Sequence, residues 1–431
     1  MHRASIACLL LVAGWLFCPP AAADPVVLPV DQGQDAYEPA VAATQQGFVV
    51  VWRSGLLAPG DLRTGLRFQA DLVFLVLDSQ GVPSAPQPRP LCRAPDLQAR
   101  PRIASGPQGL LVVWQDLRNG RDWDVYAARI SPQGEVLEED GFLVAGGEHN
   151  QAKPQVVWNG RHFVVCWQDF RSGSRYEIYA CRITPEGKNL DPHGVKIASG
   201  ADYHCYAPAL APLGTGRCFL MHVARGGSAA RSPLAQAWLL EGVQARLLYR
   251  LHPVEQRVNF RPLLRQGPHD QGHPIRLAAG SRSVLAVWKN CAPLGRGDGP
   301  VNNAALFSQE GKRLADLRLG HRQGRRWAGR ILDPAAVWAG DRFVVVWAQF
   351  IQPDRNAPPT DAVFLQQLDP QGKPLGTYRL LAGTPEAPAT APAVAYHPDG
   401  TILVAYEQHP RRADQPIAIA VQRWSLSEAE R

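Results

Sequence analysis

The sequence predicts an all-β protein: a seven-bladed β-propeller of four-stranded antiparallel blades, closed by its own mature N-terminal strand. Two observations carry most of that reading. Seven times a proline is followed 13 or 14 residues later by the aromatic end of a short apolar strand. The prolines are Pro39, Pro101, Pro154, Pro208, Pro274, Pro334 and Pro392, and their partners are Trp52, Trp114, Trp167, His222, Trp288, Trp347 and Tyr406. Successive columns lie 53 to 66 residues apart, a period at which strand-and-turn units stack as propeller blades around one shared core. The third observation is an offset at the chain ends. The segment VVLPVDQGQDAYEPAVA reads as a last strand running into a first strand, whereas IAVQRWSLSEAER reads as a third strand with no fourth after it.

In chain order, residues 1–23 read as a signal peptide. His2 and Arg3 precede an apolar run from Ala4 to Phe17, and Ala21, Ala22 and Ala23 form a small-residue cleavage site. That run of 14 residues is shorter than the roughly 20 needed to span a bilayer, and Phe17 argues against lipid attachment at Cys18. Residues 24–431 then form one propeller domain, with 24–31 completing the last blade and blades near 36–93, 98–147, 151–200, 205–252, 271–320, 331–383 and 389–426. Each blade has strands A to D. The second strands, such as FVVVW, LLVVW and FVVCW, are apolar throughout, as strands covered on both faces are. Glycines mark the A–B turns, and Gly81, Gly134, Gly187, Gly311 and Gly372 close the C–D turns, where positive φ is needed. Blade 4, with His222 in its column, departs furthest from the pattern.

Export into an oxidising compartment, periplasmic or extracellular, permits disulfides among Cys92, Cys166, Cys181, Cys205, Cys218 and Cys291. Hairpin spacing predicts Cys205–Cys218 in blade 4 and Cys166–Cys181 in blade 3 as candidate pairs. The net charge of +7 comes with far more Arg than Lys; it fits either a GC-rich genome or an anionic partner.

The stretches WQDLRNGRDWDVYAARISPQG (Trp114 to Gly134) and WQDFRSGSRYEIYACRITPEG (Trp167 to Gly187) resemble the W-x-D-x-R-x-G-x-x-D-I-Y repeat of exported bacterial β-propellers, similar in shape to TolB-like repeats. The likeness covers blades 2 and 3; blades 4 to 7 lose the Asp and Arg. It implies a binding platform for other envelope proteins. In the repeat itself, Asp116 with Arg118 and Asp169 with Arg171 read as turn-stabilising pairs.

The residues before the repeat prolines, held extended by them, are expected to ring the channel mouth: Glu38, Arg100, Lys153, Ala207, His273, Asp333 and Ala391. Arg257, Arg261 and Arg265 on one long connection, and Arg322, Arg325, Arg326 and Arg330 on the next, form a basic sector beside that ring. This face reads either as a solvated charged rim or as the site of a non-catalytic platform that binds an envelope protein or acidic glycan. A glycan-processing hydrolase or lyase, with Glu38 and Asp333 as its carboxylate pair, is the alternative from another class. No motif for a metal, a cofactor, a nucleophile elbow or nucleic acid is present. A monomer with no transmembrane segment is expected.

Overall fold

The computed structural model describes residues 24–30, 34–55, 69–226, 235–251, 275–288, 304–320, 322–323, 326–327, 331–351, 358–410, 412 and 414–426. They form seven four-stranded antiparallel sheets and one small hairpin, Arg322–Gln323 against Arg326–Trp327. Blade 2 shows the plan: A (Gln98–Gly106), B (Gly109–Asp116), C (Asp124–Ile130) and D (Phe142–Ala145), paired in that order. No helix among the described residues is long and apolar enough to cross a membrane.

Closure is as the offset predicts, though the paired strand is shorter than the expected segment 24–31. Val26–Val27 pairs with Ala418–Ser425 as the outer strand of the seventh sheet, Val26 opposite Val421 and Val27 opposite Ala420. The Leu28 N–H donates to the Ile419 carbonyl (2.8 Å), and the Ile417 N–H donates to Asp35 Oδ1 (2.8 Å).

The core is distributed between blades. Seven apolar clusters form, one at each contact of neighbouring blades, including that of blade 7 with blade 1, where Leu28, Trp52, Leu403 and Val421 meet. Strand Gly47–Ser54 is buried along its whole length because each of its faces meets a different cluster. The column aromatics Trp52, Trp114, Trp167, Trp347 and Tyr406 are among the largest fully buried side chains, and His222 is buried in the same column. At the C–D turns Gly134 and Gly187 have φ of +82° and +88°, and a Cβ there would stand 2.8 Å from Val76 Cγ2 and Arg129 Nε respectively.

In blades 2 and 3 the repeat motif closes on itself. Asp116 Oδ2 accepts from Trp114 Nε1 (2.8 Å) and Arg118 Nη2 (2.7 Å), while Oδ1 accepts from the Arg118 N–H and Nε. The Arg118 guanidinium lies 3.8 Å from the centroid of the Tyr126 ring, which stacks on Trp114. Asp169, Trp167, Arg171 and Tyr179 repeat this arrangement.

Both expected disulfides are corrected: the five described cysteines, Cys92, Cys166, Cys181, Cys205 and Cys218, are free and buried. Cys205 pairs with Ala224 and Cys218 with Pro212, so these two thiols sit at opposite ends of their hairpin. Cys166 and Cys181 pair with Ala180 and Val165, one step apart in register. Successive residues of a strand face opposite ways, and the two thiols accordingly enter different inter-blade clusters. Burial pushes the Cys205 and Cys218 thiols up to about 12.

Candidate functional site at the channel mouth

The residues before the repeat prolines are not extended. Glu38, Arg100, Lys153, Ala207, Asp333 and Ala391 all adopt left-handed backbone, with φ between +42° and +56°. A bulge recurring in strand A is the cause. In blade 2, Ala99 pairs with Gln115 and Arg102 with Val113, so Arg100 and Pro101 together oppose Trp114. The same register jump occurs in blades 1, 3, 4, 6 and 7. A non-glycine residue there costs on the order of 1–3 kcal/mol, and such costs cluster at functional sites. The bulge frees an N–H, which a neighbouring blade takes up. Glu38 N donates to Glu407 Oε1 (2.8 Å), Arg100 N to Glu38 Oε2 (2.8 Å), Lys153 N to Gln115 Oε1 (3.2 Å) and Ala207 N to Gln168 Oε1 (3.0 Å). Gln115, Gln168 and Glu407 each follow the column aromatic of their blade.

One side of this ring is cationic. Arg100, Arg102, Lys153, Gln155, Ala207 and Arg276 line a cavity of about 30 Å³, enough for about two water-sized groups. Arg102 Nη1 donates to the Pro101 carbonyl (2.8 Å), but its buried Nε has no acceptor among the described residues. Burial, then repulsion from Arg276 and Arg100, drives the Arg102 guanidinium well below its ordinary basicity despite Glu38 and Asp333. Burial likewise lowers Arg276 to about 10, with Asp333 opposing.

The other side is acidic. Burial alone would raise the Glu38 carboxyl, but Arg53, Arg100, the Arg100 N–H and Arg102 together hold it below its ordinary value. Arg53 Nε stands 3.6 Å from Glu38 Oε2. Asp361 is raised, by burial first and then by Asp333, against the pull of His409. Thr390 Oγ1 donates to Glu407 Oε2 (3.0 Å) and lies 2.7 Å from His409 Nε2.

Beside Ala207 runs a chain of rings. Tyr206 and His204 stack at 5.3 Å between centroids, both pack on Tyr176, Tyr176 packs on Phe170 at 4.7 Å, and Phe170 on His149. Tyr176, Phe170 and His204 are half-buried and His149 is exposed.

Of the sequence-derived candidates, the structure brings together Arg100 and Lys153, places Glu38 against Arg100, and leaves Asp333 exposed at the rim within electrostatic reach of Arg276. His273, Arg257, Arg261, Arg265, Arg325 and Arg330 lie outside the described residues; for Arg322 and Arg326 only the backbone pairing is described. Arg102, Gln155 and Arg276 escaped the sequence reading. Arg276 pairs with Val287, just before Trp288, as Arg102 pairs with Val113, just before Trp114. Counting back from the aromatic column, rather than forward from Pro274, finds it.

Such a site defines a seven-bladed propeller with a charge-divided channel. No family model matches the chain, and no curated protein matches it. Among solved structures, a protein of unknown function from Dyadobacter fermentans is similar at 13% identity and a TM-score of 0.48, covering 94% of this chain and 98% of that one. An α-L-arabinofuranosidase of Fusarium graminearum is similar at 10% identity and TM-score 0.44, covering 94% and 98%. A Penicillium chrysogenum α-L-arabinanase is similar at 11% and 0.44, covering 95% and 99%. These likenesses do not extend to function.

Proposed function

We propose that this chain is an exported propeller that binds an acidic glycan at its channel mouth. One observation carries the reading: four cationic side chains, Arg100, Arg102, Lys153 and Arg276, share one small cavity, and the buried Arg102 Nε has no acceptor among the described residues. Clustered buried cations repel one another, and an unpaired buried donor is costly. An anionic group from a ligand relieves both. The cavity is too small for a sugar ring but admits the two oxygens of a carboxylate. The half-exposed rings of Tyr176, Phe170 and His204 next to Ala207 offer the apolar faces on which a saccharide ring stacks. Such a ligand carries its charge on a ring substituent, as a uronic acid does.

Isothermal calorimetry with an oligogalacturonate and with a neutral oligosaccharide of the same length tests this. Binding of the acidic ligand alone, weakened by salt and by at least tenfold in Arg102→Ala, is expected. Equal binding of the neutral ligand, or an unchanged affinity in Arg102→Ala, refutes the reading. An envelope protein captured through the same arginines in place of the glycan would also overturn it.

A second reading is glycan hydrolysis, favoured by one specific feature. Two carboxyls within electrostatic reach of the channel-mouth residues are pushed in opposite directions, Glu38 down against its burial by Arg53 and Arg100, and Asp361 up by burial and Asp333, which is how a base and an acid are set apart. Reducing-end release that disappears in Asp361→Asn, while binding persists, would establish it.

A further inference from the structure

A second cavity lies away from the channel, on the face formed by the A–B turns. Between blades 3 and 4 a cleft of about 420 Å³ is lined by Arg161, His162, Arg182, Thr215, Arg217 and Glu241, among others, a size that suits a small-molecule ligand. Its floor is tied together across the blades. Gly216 N donates to the Asn159 carbonyl (2.9 Å) and Gly242 N to the Gly216 carbonyl (3.0 Å). Asn159 Oδ1 accepts from the N–H groups of Arg161 (3.0 Å) and His162 (2.8 Å).

The charges are unevenly spent. Arg182 holds Asp191 through two bonds, Nε to Oδ2 at 2.9 Å and Nη2 to Oδ1 at 2.8 Å. Neither Arg161 nor Arg217 is in an ion pair among the described residues. Glu241 pairs with Arg217 in the strand register and is the one carboxylate in the cleft lining. His162 registers the balance: burial first, then Arg161 and Arg182, lower its pKa, and Asp191 only partly opposes them.

We propose that this cleft is a second anion site, selective for the phosphate or sulfate group of an ester. Arg161 in a turn of blade 3, Arg182 on its third strand and Arg217 at the start of the second strand of blade 4 line the space with the imidazole, while the Thr215 hydroxyl already donates to the Gly214 carbonyl (2.7 Å). A tetrahedral oxyanion can accept from several directions at once, whereas one planar carboxylate is satisfied by one fork of donors. Bound charge there opposes the two arginines that, after burial, lower the His162 pKa, so occupancy favours protonation of the imidazole and binding strengthens as pH falls. The proposal is independent of the channel reading, since no residue is shared.

NMR titration of the His162 imidazole tests it on the full chain, with methyl phosphate and methyl sulfate as probes and sodium chloride at matched ionic strength as control. Either ester is expected to raise the His162 pKa by about half a unit or more beyond the salt control; the one that raises it further names the source of the group. Arg161→Gln with Arg217→Gln should abolish the shift, with aromatic circular dichroism reporting an intact fold, while Arg102→Ala in the channel leaves it in place. A shift that chloride reproduces, or that survives the double substitution, or no shift at all, overturns the proposal.

Discussion

His222 stands where the other blades carry a tryptophan or tyrosine, and it is enclosed as completely as they are. Its Nε2 lies 2.9 Å from Gln236 Oε1 and its Nδ1 3.2 Å from the Val223 carbonyl. Burial nevertheless dominates and lowers its pKa from 6.5 to about 4. The folded protein therefore refuses a proton that the unfolded chain accepts. Above pH 6.5 neither state is protonated and the fold keeps its full stability; between pH 6.5 and 4 the unfolded state gains protons and stability falls. The loss across that window amounts to roughly 3 kcal/mol for this one group. Urea unfolding at pH 7 and pH 4.5 should show His222→Phe losing correspondingly less stability on acidification than the wild type. Parallel losses in the two proteins would mean that His222 is not the acid-sensitive group.

At the scale of the element, the Trp–Asp–Arg–Tyr arrangement locks the B–C connection of blades 2 and 3. Asp116 is fully buried and satisfies both the indole N–H of Trp114 and the guanidinium of Arg118. Removing it strands a cation and an indole donor together, so Asp116→Ala should cost about 3–5 kcal/mol in chemical denaturation. Asp116→Asn keeps one acceptor oxygen and should cost less. A loss below about 1 kcal/mol for the alanine variant would reduce the motif to a surface decoration. Blade 1 has Ser54 at the equivalent position and manages with one bond to Gln34 (2.8 Å). The strand A bulge is the complementary device. It gives six blades a left-handed residue at the channel mouth, and in blades 1 to 4 the preceding blade takes up its N–H.

For the whole molecule, stability depends on closing the ring, because each apolar cluster needs two blades. Leu28 is 1% exposed and belongs to the cluster joining blade 7 to blade 1. Without residues 24–30, strand Ala418–Ser425 becomes an open edge able to pair with another chain. A chain starting at Gln34 should melt at a lower temperature and scatter light on heating, and Leu28→Ala alone should cost about 2–5 kcal/mol. An unchanged melting temperature in the shortened chain would show that the N-terminal strand does not hold the ring shut.

Architecture was legible in the sequence because it is written locally and repeatedly. Apolar second strands, aromatic columns and turn glycines report burial and φ without reference to distant residues, and the offset of the chain ends predicted the closure. Fine geometry was not legible. The proline rule predicted extended backbone at Glu38, Arg100 and Lys153, yet bonds from neighbouring blades hold these residues left-handed, and those partners are far away in sequence: 369 residues separate Glu38 from Glu407. Cysteine spacing predicted two bridges, but facing positions depend on register, and one residue of slip sends Cys166 and Cys181 into different clusters. The cation cavity draws Arg100, Arg102, Lys153 and Arg276 from three blades. By itself the sequence determined the fold, since strand, turn and burial signals are local. Only the tertiary structure decided which charges meet in the channel, because Coulomb interactions act through space and ignore order along the chain.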